Sequence, residues 1–189
     1  MTLLILGLLL WVAVHLFKRV SPSARASLDV RFGKKARGGI ALLLLGSIVL
    51  MVMGYRAAPI EPVYQPLAGA GHLNNLLMLI AVFLIGAGSA KGVTASKLRH
   101  PMLLAVIVWA GAHLLVNGDL ASIILFGGTG LWAIVEMVVI SRAEGPWQRP
   151  APGPIKKDIR VAVISVVLFA VFAGVHILLG HNPFLGTYA

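Results

Sequence analysis

Apolar residues in this chain come in long unbroken runs, without the strict alternation of a half-buried strand. Six runs, roughly residues 2–17, 38–55, 73–90, 101–117, 120–140 and 159–180, approach the ~20 residues that a helix needs to cross a hydrocarbon core. Open strands cannot satisfy their backbone in lipid, so each run is predicted helical. The pattern predicts an all-α fold, a polytopic membrane helix bundle with six transmembrane helices. The short turn Asn117, Gly118, Asp119 makes the fourth and fifth spans an antiparallel hairpin. Of the connectors, residues 57–71 carry Pro59, Pro62 and Pro66 and close with Gly69 and Gly71. This is the one external loop long enough to form a lid or a mouth. Residues 143–157 hold Pro146, Pro150, Pro152 and Pro154, which reads as an extended linker with no core of its own.

Composition agrees with this reading and narrows it. The chain has 189 residues, 59% of them hydrophobic and only 12% charged, with a mean hydropathy of +0.94, which cannot give a soluble globule a polar skin. The first run has no preceding positive charge and no small-residue cleavage pattern, and Lys18 and Arg19 follow it directly, so it is expected to be a retained span. Cysteine is absent, which removes disulfides, thiolate-ligated haem, iron–sulfur clusters and Cys-based zinc sites and leaves histidine and carboxylate as metal ligands.

The formal net charge of +10 is distributed by topology. Of sixteen Lys and Arg, seven lie in the first connector (Lys18, Arg19, Arg25, Arg31, Lys34, Lys35, Arg37), three in the third and five in the fifth, whereas Arg56 alone falls in an even-numbered one. The positive-inside rule then puts the odd connectors in the cytoplasm and both termini outside. Topology accounts for the charge, and no nucleic-acid role is needed. The first connector is expected to lie against anionic headgroups.

Candidate chemistry concentrates in the stretch from Lys97 to Asp119. Arg99, His100 and Pro101 open it, and His113, Asn117 and Asp119 follow within and beyond an otherwise apolar segment. An imidazole at that depth has no bulk water, so it needs a protein partner, a cavity or a metal. A helical wheel puts Ala105, Trp109, Ala110 and Asn117 on or beside the face of His113. Small alanines leave room for a flat ring there, with Trp109 along its edge. His15 and His176 lie within other spans, and His72 and His100 at span ends. Histidines on two helices with a dry interior between them suit a b-type haem, although a histidine bonded to a neighbouring carbonyl is the commoner arrangement. Glu136 is the one acid in the middle of a span, where an unpaired carboxylate costs about 2.5 to 3.5 kcal/mol. Gly127, Gly128 and Gly130 lie in a membrane helix with no preceding strand, so they read as a packing notch and not as a dinucleotide loop.

His15 with the basic connector, the His72 region, Arg99-His100-Pro101 and the spacing to Trp109 and His113 resemble the NnrU family of bacterial membrane proteins and its plant and cyanobacterial relative, zeta-carotene isomerase. The resemblance covers most of the chain and identifies 1–189 as a single NnrU-like transmembrane domain. It implies a bacterial inner-membrane protein that binds haem b, with His15 and His113 as axial ligands and His100 and Trp109 at the cofactor. The implied roles are in nitrogen-oxide respiration or in the isomerisation of a lipophilic polyene. Where the isomerase has a cysteine proposed as exchange ligand, this chain has Ala110. Depth along the helices gives a different pairing. His113 stands roughly 20 Å from His100 while His15 is only about 5 Å from Lys18, which matches His15 with His100 and His113 with His176.

A second class is also open. Arg99-His100-Pro101 followed by Glu136 resembles the Arg-His-Pro to Glu-Glu spacing of membrane methyltransferases that use S-adenosylmethionine, but Met137 occupies the second acidic position. A cofactor-free assembly factor is the third.

Overall fold

A computed structural model describes residues 1–185. It is all-helical: α1 Thr2–Val20, α2 Pro22–Phe32, α3 Lys34–Arg56, α4 Ala70–Ala90, α5 Pro101–Val116, α6 Leu120–Glu144 and α7 Ile155–Leu178. Five of these, α1, α3, α4, α6 and α7, are long and apolar enough to cross a membrane. The expected sixth, α5, has 16 residues and spans about 24 Å at 1.5 Å per residue, short of the roughly 30 Å hydrocarbon core. Pro101 starts it and the extended Asn117 stops it, so its length is fixed by a proline and a turn, not by loss of hydrophobicity.

Packing sets the helices in the lateral order α3, α1, α6, α5, α4, α7. The α1–α3 pair is held at close range by glycine. A β-carbon on Gly7 would lie 2.7 Å from Ser47 O and Met51 N, and one on Gly54 would strike the Leu4 backbone. Leu4 is completely buried there. Small residues are what allow this approach, since lipid supplies no hydrophobic force between apolar helices. The glycines of the predicted notch serve two interfaces: Gly128 meets Leu8 of α1, and Gly130 meets Ala110 of α5. Those contacts make α1 parallel to α6 and α5 antiparallel to it.

The basic connector after α1 is not a loop. Residues 22–32 form α2, opened by Pro22 at its first turn and supported by an Arg25–Asp29 ion pair one turn apart. None of its residues is buried, as expected of a helix lying at an interface. Gly33, at φ +53°, breaks it from α3, a conformation that costs glycine little.

The loop between α3 and α4 is fastened down. Val63 N–H and Tyr64 N–H donate to Gly118 O (2.8 and 3.1 Å), and Leu120 N–H donates to Glu61 O (2.9 Å). The Tyr64 hydroxyl donates to the carbonyls of Leu114 and Asn117. Asp119 caps α6 through Ser122 N–H (2.9 Å) and the Ser122 hydroxyl (2.6 Å), and Tyr55 of α3 donates to that same hydroxyl oxygen. The loop expected as a lid is therefore a clamp on the α5–α6 turn. At the opposite end, buried Asp158 of α7 accepts the N–H groups of Val93 (2.7 Å) and Thr94 (3.3 Å), tying α7 to the α4–α5 connector.

Because Gly54 leaves no room for a side chain, Gly54→Val should destabilise the α1–α3 contact by about 1–3 kcal/mol. Gly46→Val, where open space surrounds the built β-carbon, should change little. Thermal unfolding in detergent, read by loss of the monodisperse species, checks this pair.

Candidate functional site

The site is built at the end of the bundle opposite the basic connectors, where one face each of α4, α5 and α7 converges. On α4 the face is Gly71, Asn74, Asn75 and Met78, and on α7 it is Phe169, Phe172, Ala173 and His176. Both follow the spacing i, i+3, i+4, i+7 that keeps residues on one helical face. On α5 it is His113, Val116 and Asn117, while Tyr55 of α3 and Phe126 of α6 complete the wall. They line a half-open cavity of about 390 Å³, within the range of roughly 300–1,000 Å³ that holds small ligands and cofactors.

His113 is fixed from three sides. Its Nδ1–H donates to Trp109 O (2.9 Å), its ring stacks on Phe126 (4.4 Å between centroids, 25° between planes), and the Trp109 ring is 5.0 Å away. Phe126 reaches this position through a π-turn, Ile123–Gly127, within α6. Such turns insert a residue, leave carbonyls poorly paired and recur at functional sites. Here Thr129 donates its hydroxyl to Leu125 O (2.7 Å) and Phe126 O (3.1 Å), taking up the slack.

His176 repeats the local device, donating Nδ1–H to Phe172 O at 2.7 Å. Beyond it Gly180, at φ +83°, turns the chain back, and His181 N–H donates to His176 O (2.8 Å). The returning residues His181 to Pro183 and Leu185 form the outer wall of the cavity. Asn75 Nδ2 donates to Pro183 O (3.1 Å), and the Phe184 ring lies 6.4 Å from Phe169. The sequence gives His181 no task beyond solvation. The Leu-Gly-His ending of the helix is the one local sign that the chain doubles back.

His15 uses the same bond, from Nδ1–H to Trp11 O (2.9 Å), in different surroundings. Its ring lies 4.2 Å from Trp11 and 4.6 Å from Trp132, and it does not line the cavity. With Leu8 against Gly128 and Trp11 beside Trp132, His15 is level with the turn beginning at Trp132. His113 stacks on Phe126, six residues or about 9 Å of helix rise further out. Two axial nitrogens on one iron stand only about 4 Å apart. His15 and His113 thus belong to separate clusters, while His113 and His176 share a cavity. Among the described residues no three His, Cys, Asp or Glu side chains gather as a metal site.

His100 and Arg99 lie at the other end. His100 Nε2 hydrogen-bonds to the Ser141 hydroxyl (2.9 Å), and Arg99 and Arg19 both pair with Glu144 (3.7 and 3.0 Å). Glu136 is buried, its Oε2 has no hydrogen-bond partner, and among the described residues it forms no ion pair. Arg99 therefore answers to Glu144, two turns beyond Glu136, and the spacing that resembled a methyltransferase does not bring Arg99 and Glu136 together as an ion pair.

A helical membrane bundle with an aromatic, histidine-bearing cavity at one end defines the class. The chain belongs to the NnrU family: the family description, NnrU protein, matches residues 3–183. No curated protein and no solved structure matches it.

Burial, and then the neighbouring Arg99 charge, lower the pKa of His100 from its ordinary 6.5, against an upward pull from Glu144. The unfolded chain therefore takes up this proton at higher pH than the folded chain. The corresponding stability is present above 6.5 and is lost as pH falls below it. Acidification from about pH 7.5 to about 5.5 should lower the melting temperature of the wild type more than that of His100→Gln.

Proposed function

We propose that this NnrU protein binds haem b in the external cavity, with His113 and His176 as the ligating side chains. The observation that carries the reading is that both line one cavity with the same carbonyl-fixed tautomer. A carbonyl only accepts, so Nδ1 must carry the hydrogen and Nε2 keeps its lone pair. Histidines that ligate metals characteristically tie off the other ring nitrogen in this way.

The donor set and the lining fit the group. Phe126, Phe169 and Phe172 offer apolar surface to a flat macrocycle, and Asn74, Asn117 and Asn182 give the cavity polar groups for charged substituents. Bound there, the haem would supply a redox-active iron in a half-open site at this end of the bundle. The protein's own part is to fix both imidazoles and to stack Phe126 on one of them. Such a site serves either role the family resemblance implies, nitrogen-oxide respiration or isomerisation of a lipophilic polyene. In this reading α5 is the sixth crossing, and the basic end faces the cytoplasm of a bacterial inner membrane with both termini periplasmic. The resemblance names His15 as the partner of His113; the levels of the rings favour His176.

An optical spectrum of the full chain, expressed with ample haem and purified in detergent, tests this. A Soret band with sharp reduced α and β bands is expected. His113→Ala and His176→Ala should each lose most of it, whereas His15→Ala should keep it. Loss in His15→Ala with retention in His176→Ala would restore the pair implied by resemblance. A wild type with no Soret band sinks the haem reading altogether.

A further inference from the structure

At the basic end of the bundle the charges do not balance. Arg19 from the end of α1 and Arg99 from the residue pair before α5 converge on one carboxylate, Glu144. The Arg99 Nε–H is buried without an acceptor. Arg142, two residues from Glu144 and so on the other side of α6, is exposed, and among the described residues no carboxylate pairs with it. Ser141, held by His100, stands between these two sources of charge. From Ser141 and Arg142 a shallow groove of about 350 Å³ runs along α6 past Met137 and Val138. Its floor is one stripe of the helix, basic and hydroxylic at the end of α6 and apolar one turn deeper.

We infer that this groove is a seat for an anionic phospholipid, its phosphate held by Arg142 and the Ser141 hydroxyl and an acyl chain laid along Met137 and Val138. Excess guanidinium selects the headgroup, since basic pockets at the ends of membrane helices attract anionic lipids. Planar guanidinium with unpaired N–H groups suits phosphate oxygens better than ammonium would. The apolar continuation selects a lipid over a free anion, because inorganic phosphate has nothing to bury against Met137 and Val138. The site is some distance from the external cavity and does not depend on haem.

Native mass spectrometry of the full chain, released from detergent with added phosphatidylglycerol or phosphatidylcholine, reads this directly. The wild type should retain phosphatidylglycerol in preference, and Arg142→Gln should weaken that retention about fivefold. Val138→Trp, which fills the groove and leaves every charge in place, should weaken it as well. Arg56→Gln, at the far end of α3, should not. Equal retention of the two lipids by the wild type overturns the inference, as does an unchanged preference in Arg142→Gln. Displacement of the lipid by millimolar inorganic phosphate, with Val138→Trp behaving as wild type, would show an anion site with no lipid seat.

Discussion

Inside hydrocarbon a side-chain N–H or O–H has no water to turn to, and this fold answers that constraint with the carbonyl one turn back. His15, His113 and His176 all donate Nδ1–H to the carbonyl four residues earlier. Ser165 and Thr129 do the same with their hydroxyls. Each of these five groups is thus satisfied within its own helix, so at these positions the helices need not match donors across the interface. For histidine the consequence goes further. The bond that removes one nitrogen from the balance leaves the other as a free lone pair, so a stability device becomes a possible ligand.

Whether that lone pair has anywhere to point depends on what surrounds it. Beside His15 stand the Trp11 and Trp132 rings, and it lines no part of the cavity. Around His113 one side is taken by Phe126, brought in by the π-turn of α6, and another is cavity. The recurrence of Trp followed by His four residues later is therefore one local motif used twice, once in a packed contact and once at the edge of open space.

The two ends of the bundle do different physical work. The end that holds the cavity is fastened by hydrogen bonds donated by Tyr64 and Tyr55 and by those that the Asp119 carboxylate accepts from Ser122. The basic end is organised by charge, with Glu144 shared between Arg19 and Arg99 and Asp158 buried against backbone N–H groups. Both arrangements secure the short helix α5, which is sandwiched between α4 and α6 and needs fixing at each end because its own length is marginal.

The run lengths of apolar residues alone determined that the chain is helical and membrane-embedded, because a bilayer permits little else. The asymmetry of Lys and Arg likewise marked one end of the bundle as basic. The family was legible from Arg99-His100-Pro101 and the spacing to Trp109 and His113, and the full-length family match agrees. Local spacing also gave the one-face patterns of α4 and α7, which are visible once the helices are drawn. Tertiary structure alone decided which faces meet. That His181 returns to the cavity depends on Gly180 turning the chain, and that Arg99 pairs with Glu144 and not Glu136 depends on the offset between α5 and α6. The separation of His15 from His113 follows from the level at which Leu8 meets Gly128. These are relations of depth between different helices, which periodicity within any single helix does not contain.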